Sequence, residues 1–229
     1  MNRIGLTNTA ITIPSPLSVG DIEALVAQFG TPPNYTEFES DGTMVARGSA
    51  STWRDELQSL ASARLLSPAG DIVLNPSEAS ITFKSSARYP TDFAMVNHQI
   101  NHDWELGTNI HPHLHWWQTS VATPNWMIEY RWQKQGSAKT TGWTPIPWSS
   151  NFVVWTAGTL NQITEFPPIV PPVGYGEVSD ILQFLIYRDV TNVNFLFAGA
   201  EVGPVDQDAV NFDSHIETDT LGSRTEYTK

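Results

Sequence analysis

Short apolar segments recur along the chain from residue 71 onward, and no convincing helical pattern separates them. Each segment is rich in Val, Ile, Phe, Trp and Thr, and clusters of Gly, Pro, Asn and Ser divide one segment from the next. The first group of residues favours strands, and the second group ends them. The pattern predicts strands over residues 71–75, 79–85, 92–100, 109–119, 125–134, 151–156, 159–165, 180–188, 193–200 and 209–218.

A run of strands with no helices between them is typical of antiparallel folds and argues against alternating β and α units. A length of 229 residues suits a single domain of this kind. The chain has no cysteine, which excludes both a disulfide framework and a thiolate metal site. We therefore expect a mainly β fold, an antiparallel β-sandwich or jelly roll of about eight to ten strands.

The first 50 residues follow a different pattern. Residues 1–16 contain two prolines and indicate an extended arm. Ser18 begins a capping pattern, and apolar residues at helical spacing continue to Phe29, which predicts a short helix. Residues 34–50 are polar, and Asp41-Gly42 indicates a turn. We expect residues 1–50 to form an N-terminal arm that contacts a neighbouring molecule, and residues 51–229 to form the β domain.

A second helix is predicted over residues 52–66. Thr52 has the side chain of an N-cap, Asp55 and Glu56 stand in the first turn, and Pro68 closes the segment.

The charge of the chain limits its partners. The formal net charge is −12 and the isoelectric point is about 4.7. An acidic surface is repelled by phosphate backbones, so we expect no direct contact with nucleic acid. Residues 1–15 lack a signal-peptide pattern, and no stretch has the 18 or more apolar residues of a membrane span. We expect no membrane contact and synthesis in the cytoplasm.

Histidines alternate along one predicted strand. Residues two apart on a strand share a face, so His111, His113 and His115 line one side, while Leu114 and Trp116 line the other. A second strand carries an acidic counterpart, and a third strand also has an ionisable face. The residues on these two faces are Asp213, His215 and Glu217 on the second strand, and Glu129 and Arg131 on the third.

Two kinds of site fit these faces. Imidazoles and carboxylates bind transition metals, and a His-x-His pair with a downstream histidine is similar to the cupin pattern. His111, His113, His115 and His215 are then the candidate ligands of a metal-dependent enzyme. Trp116 and the three residues after it stand where the cupin motif has a glutamate.

The alternative is a set of cross-strand polar and ionic pairs, each worth about 0.2–1 kcal/mol, on a face that is either solvated or meets its symmetry mates at a subunit interface. We favour this interpretation and expect no resident cofactor. The candidate interface residues are His111, His113, His115, Glu129, Arg131, Asp213, His215 and Glu217.

Other functions receive less support. No Gly-x-Ser-x-Gly, Gly-rich phosphate loop or His-Glu-x-x-His sequence occurs, so we predict no catalytic residue and no enzyme activity. Tryptophans in a proline-rich segment, Trp143 and Trp148, favour a carbohydrate-binding or receptor-binding protein as a third hypothesis.

Five motifs give the chain a resemblance to a family of structural proteins of tailed-phage virions. The resemblance covers about residues 53–229, and its specific parts are the His-Pro-His-x-His-Trp and Asp-Thr-x-Gly-Ser-Arg sequences. The motifs are Trp-Arg-Asp-Glu-Leu at 53–57, the run 107–116, Trp126 with 129–132, Arg-Asp at 188–189, and the run 213–227.

The resemblance implies a β-sandwich or jelly roll, trimeric, that decorates or cements the capsid. The implied partners are the major capsid protein and two further copies of this chain, and the implied location is the outside of the capsid. Residues 1–50 would then be the segment that contacts the capsid or a neighbour. Head-fibre, minor-capsid and tail-associated roles are alternatives within the same family of functions.

Overall fold

The computed structural model describes residues 28–39, 42–84, 87, 89–117, 126–146, 162–188 and 207–221. Strands dominate this part of the chain. Its two helical segments are single 3₁₀ turns, at Gly48–Ala50 and at Leu60–Ser62. The prediction of a mainly β fold is confirmed.

The described residues form fourteen strands, and every strand pairing is antiparallel. In chain order the strands are β1 (Gln28–Thr31), β2 (Asn34–Phe38), β3 (Met44–Arg47), β4 (Thr52–Ser59), β5 (Arg64–Leu66), β6 (Ile72–Asn75), β7 (Ser80–Phe83), β8 (Phe93–Gln99), β9 (His111–Trp117), β10 (Trp126–Gln133), β11 (Thr144–Pro145), β12 (Gln162–Glu165), β13 (Ile181–Arg188) and β14 (Gln207–Thr218).

Two large sheets pack as a sandwich. The five-stranded sheet has the order β11-β10-β13-β8-β5. The six-stranded sheet has the order β12-β9-β14-β7-β6, and β4 pairs with the C-terminal part of β14. Successive side chains on a strand point to opposite faces, so each sheet turns one apolar face toward the other. The predicted antiparallel sandwich is therefore confirmed.

The core lies between these two apolar faces. Leu114 and Phe212 come from the six-stranded sheet, Ile128 and Phe184 from the five-stranded sheet, and all four are fully buried. The Phe184 and Phe212 rings meet across the sandwich with centroids 4.7 Å apart. This contact shows that the sheets interdigitate at their centres.

A small third sheet, of order β1-β2-β3, lies beside the sandwich. It joins the end of β14 through a bridge between Val45 and Thr220, and the Ala46 N–H donates to the Asp219 carbonyl over 2.6 Å. Val45 is buried, so this sheet contributes an apolar contact as well as backbone hydrogen bonds.

Eight of the ten predicted strands are confirmed, and they correspond to β6 to β10 and β12 to β14. The predicted strands over 151–156 and 193–200 lie outside the described residues. The two shortest strands of the five-stranded sheet, β5 and β11, were not predicted, because three residues or fewer cannot show a period.

The predicted helix over residues 52–66 is wrong. This segment forms β4, a 3₁₀ turn and β5. Trp53, Asp55 and Leu57 alternate with Arg54 and Glu56, which is a strand period, and eight residues of β4 pair with β14. Backbone pairing with β14 therefore overrides the capping signal at Thr52, because local propensity is a weak preference.

The expectation for residues 1–50 also changes where the structure describes them. Phe29, placed at the end of a helix by its spacing, lies in β1, and the polar segment 34–50 forms β2, β3 and a 3₁₀ turn. The arm over 1–16 and the start of the predicted helix lie outside the described residues. The domain boundary near residue 50 stays a prediction.

Replacement of Trp116 by Ala should destabilise the fold by about 3–5 kcal/mol, the cost of removing a buried aromatic side chain. Trp116 is buried, and its indole N–H donates to Thr164 Oγ1 over 2.9 Å. Urea denaturation measures the loss. Trp116→Phe keeps most of the volume and should cost clearly less, so equal losses for the two variants would contradict the packing explanation.

A histidine is buried in the core between aromatic rings. The His98 ring lies 5.5 Å from the Phe184 ring and 6.0 Å from the Phe212 ring, measured between centroids. Burial lowers the pKa of His98 to about 4, against the weaker opposing effect of Asp213. The folded protein therefore holds His98 neutral at pH 7.

Because the pKa of His98 is lower in the folded state, the unfolded chain binds this proton first as pH falls. Stability should therefore decrease from about pH 6.5 to about pH 4, by about 3 kcal/mol from this residue. Urea denaturation across this range measures the effect. His98→Phe should lack this component, and identical pH profiles of the two proteins would contradict it.

Candidate functional site

Four neighbouring strands of the six-stranded sheet, β12, β9, β14 and β4, present polar and aromatic side chains away from the core. We call this surface the histidine face. It consists of Trp53, Asp55, Leu57, His111, His113, His115, Ile163, Glu165, Asp213, His215 and Glu217.

Strand register aligns these residues in rows across the sheet. In the central row, Asp213 lies opposite Leu57 on one side and opposite His113 on the other, and His113 lies opposite Glu165. In the next row, His215 lies opposite both Asp55 and His111. Directly opposed residues on a sheet have Cβ atoms about 4.5–5.5 Å apart, so each row is a set of contacts.

The register depends on an irregularity in β14 between Ala209 and Asn211. Ala209 is opposite Trp116 and faces the core, and one residue is then skipped in the pairing. After the skip, Phe212 faces the core and Asp213 faces outward. Such a bulge changes which residues share a face, and here it turns Asp213 toward the histidines.

The closest ionisable pair on this face is buried. His113 Nε2 lies 2.8 Å from Asp213 Oδ1, and the two side chains are only 6% and 5% exposed. His115 Nε2 lies 3.6 Å from the other carboxylate oxygen, Oδ2. The short distance to Oδ1 makes the first contact a hydrogen bond from the His113 ring to the carboxylate. The ring nitrogens of both histidines therefore crowd around one carboxylate.

A more exposed pair lies beside the first. His215 Nε2 is 2.8 Å from Asp55 Oδ1, with side chains 46% and 62% exposed. The His215 ring lies 4.4 Å from the His113 ring, centroid to centroid. Trp53 contacts His111 edge to face, with ring centroids 5.2 Å apart. The histidines thus form one continuous cluster.

Burial disfavours the charged form of His113, but the nearby Asp213 carboxylate outweighs this effect, and the pKa of His113 is raised. The ring also hydrogen-bonds the backbone of His111, which favours the protonated ring. The backbone partner is therefore the carbonyl oxygen, which accepts the bond. This contact fixes the ring orientation and leaves Nε2 directed at Asp213.

A cleft of about 330 Å³ opens over the cluster. Its lining contains four histidines and three carboxylates, and it contains no Lys or Arg among the described residues. Three of the groups, His113, His115 and Asp213, place one nitrogen or oxygen atom each within 4.8 Å of one another. Chemically, this arrangement suits a cation or hydrogen-bond donors more than an anion.

Six of the eight candidate interface residues from the sequence lie on the histidine face, and two do not. Glu129 and Arg131 lie on the outer face of the five-stranded sheet, on the far side of the sandwich. Glu129 is buried there and accepts hydrogen bonds from the hydroxyls of Tyr89 and Tyr187, at 3.2 Å and 3.1 Å. Glu129 therefore stabilises the fold of the monomer through these two hydrogen bonds.

Arg131 borders a second groove, of about 640 Å³, on that far face. Its Nε donates to Gln183 over 2.7 Å, and its guanidinium stacks 4.1 Å from the centre of the Trp143 ring. Arg64 and Lys139 also line this groove. The two outer faces of the sandwich therefore differ in charge.

Sequence reasoning missed Trp53, Asp55 and Leu57 as members of the histidine face because it assigned their segment to a helix. The alternation of apolar and acidic residues at 53, 55 and 57 was the available signal. Glu165 and Ile163 were missed for another reason. They join the face only because β12 pairs with β9, and nothing local to β12 indicates this neighbour.

Comparisons with known proteins identify no family. No family model matches the chain, and no curated protein matches it. Among solved structures, the enzymatically active domain of tailspike protein 4 of bacteriophage CBA120 is similar, with a TM-score of 0.30 and 12% sequence identity. The similarity covers 73% of this chain and 19% of that chain. A likeness of this size carries no argument about function.

In the part of the chain that the structure describes, none of the helical segments has the length and apolar character needed to cross a membrane.

Replacement of His113 by Ala should cost about 3 kcal/mol, because it leaves the buried Asp213 carboxylate without its closest partner. Replacement of His215 by Ala removes the same atoms from an exposed pair and should cost less than about 1 kcal/mol. Urea denaturation with a chelator present compares the two. Similar losses would show that burial does not distinguish the pairs.

Proposed function

We propose that this protein is a non-enzymatic structural protein of a tailed-phage virion. Within that class, we propose a trimeric decoration protein that binds the outside of the major capsid shell and stabilises it. The proposal begins from the motifs that resemble such virion proteins, and the described structure adds how three of these motifs are arranged.

The motifs at 53–57, 107–116 and 213–227 are far apart in sequence but contribute adjacent strands. β4, β14 and β9 lie side by side in the six-stranded sheet. The His-Pro-His-x-His-Trp motif therefore meets residues of the motifs at 53–57 and 213–227 on the histidine face. The Asp-Thr-x-Gly-Ser-Arg sequence follows β14, and its last three residues lie outside the described residues. This is the arrangement expected if the motifs share one role, such as forming a common interface.

The observation that carries the proposal is the exposed apolar surface beside the histidine cluster. Trp53 is 57% exposed, Leu57 is 58% exposed and Ile163 is 49% exposed. Trp53 and Leu57 lie on β4, and Ile163 lies on β12, so apolar side chains flank the ionisable rows on both sides. Large exposed apolar groups next to directional polar pairs are typical of protein–protein interfaces.

The charge of the chain agrees with an external position on the shell. A net charge of −12 disfavours contact with the packaged nucleic acid. The interface candidates on the histidine face are His111, His113, His115, Asp213, His215 and Glu217. The more exposed members of this set, such as His215, would align neighbouring subunits through polar contacts, and the apolar residues at the flanks would supply most of the attraction.

The purified protein should be a homotrimer by native mass spectrometry and should bind shells of the phage that encodes it. Leu57→Asp places a charge on the apolar flank and should reduce assembly or shell binding at least tenfold. Leu66→Asp is the matched control, since Leu66 is an exposed leucine, 44% accessible, on the other sheet. Shell binding is measured by co-sedimentation.

A monomer that does not bind these shells would contradict the proposal. Equal effects of Leu57→Asp and Leu66→Asp would contradict the assignment of the interface to the histidine face. In that case, shell binding by the wild-type protein would still test the virion role.

A further inference from the structure

The histidine face contains a donor set that the proposed virion role does not require. His113, His115 and Asp213 each place one ligand atom within 4.8 Å of the others. Two imidazole nitrogens and one carboxylate oxygen are a preferred combination for zinc and neighbouring divalent transition metals.

We propose that this cluster is a binding site for one divalent transition-metal ion per chain, with Zn²⁺ as the representative ion. The ligands are Nε2 of His113, Nε2 of His115 and the carboxylate of Asp213. The remaining coordination positions open into the cleft above the cluster, where water completes the shell.

The ligand atoms lie close enough together to share one ion. Bonds from zinc to nitrogen and oxygen are about 2.0–2.2 Å long, so ligands of one ion lie about 3–4 Å apart. Oδ2 of Asp213 lies 3.6 Å from His115 Nε2, within this range. Oδ1 lies 2.8 Å from His113 Nε2, a hydrogen-bond distance that must lengthen slightly when an ion replaces the shared proton.

The burial of the Asp213 carboxylate is an independent observation. Its side chain is 5% exposed, and the ring nitrogens of His113 and His115 lie close to its two oxygens. An ionised carboxylate at a buried position needs a positive partner, because desolvation of the charge is expensive. The two imidazoles can meet this need by holding a proton or, when neutral, by sharing a metal cation with the carboxylate.

The surroundings of His113 match those of a metal ligand. Its ring hydrogen-bonds the His111 carbonyl, and the other ring nitrogen, Nε2, faces Asp213. Metal-binding histidines commonly donate their second ring N–H to a carbonyl, which orients the free nitrogen toward the ion.

The charge of the cleft also favours a cation. Besides Asp213, the carboxylates of Asp55 and Glu165 line it, and its described lining contains no Lys or Arg that would compete for these groups. On the far face of the sandwich, Arg64, Arg131 and Lys139 surround the groove, and its described lining contains no carboxylate.

The test uses full-length protein without a polyhistidine tag, first stripped with a chelator and then titrated with Zn²⁺ by calorimetry. The wild-type protein should bind one ion per chain, and native mass spectrometry should show the same stoichiometry. Titration with Co²⁺ should give the visible absorption of a low-coordinate site with mixed nitrogen and oxygen ligands.

His115→Gln removes one ligand and leaves the buried His113–Asp213 pair in place. Loss of an indirect, second-layer contact to a metal site costs roughly 10–100-fold in affinity, so loss of a direct ligand should cost at least about 100-fold. His102→Gln makes the same change outside the cleft lining and should bind Zn²⁺ as the wild type does. The midpoint temperature of thermal unfolding should rise with Zn²⁺ in the wild type and in His102→Gln, and it should not change in His115→Gln.

The proposal is overturned if stripped wild-type protein fails to bind one ion per chain, or if His115→Gln binds as tightly as the wild type. Asp55→Asn tests the neighbouring pair, and a loss as large as that of His115→Gln would place the ion at Asp55 and His215 instead. Ion binding is counted per chain, so the stoichiometry can be read from a trimer or a monomer, and shell binding is measured separately by co-sedimentation.

Discussion

The register of β14 is the constraint on which the rest of the structure depends. This strand pairs with β9 along one edge and with β7 and β4 along the other, so it fixes four strands relative to one another. A shift of one residue would turn Asp213 into the core and Phe212 out of it. Such a shift would bury an unpaired carboxylate and expose a phenyl ring, and both changes are strongly unfavourable.

The same register explains why ionisable groups can occupy a nearly buried row. His113 and Asp213 lie directly opposite each other, and the neighbouring rings of His115 and His215 cover them. Each group therefore exchanges water for a polar partner, which limits the cost of burial. The apolar residues on the inner side of the same strands hold the backbone in place. The stability of the core and the geometry of the histidine face are thus two consequences of one strand alignment.

The sandwich separates two kinds of outer surface in a chain whose overall charge is strongly negative. One surface combines histidines, carboxylates and exposed apolar side chains. The other carries Arg64, Arg131 and Lys139 among amide and aromatic groups. Because the core lies between them, a ligand or partner on one surface does not contact the other. This separation allows an interface and an ion site to coexist on the histidine face without involving the groove on the far side.

The sequence by itself determined which segments become strands wherever polar and apolar residues alternate over enough positions. In β9, β10 and the second half of β14, this alternation also determined which side chains share a face. It also indicated that His111, His113 and His115 share a side with one another, and that Asp213 shares a side with His215. Only the tertiary structure decided which strands are neighbours. Pairing partners are set by backbone hydrogen bonds and by packing between distant segments, and neither leaves a local pattern. For this reason the helical signal at Thr52 does not predict β4, and the pattern of β10 does not place Glu129 and Arg131 on the opposite surface. Nothing local to β4 or β12 places Asp55 and Glu165 beside the histidines.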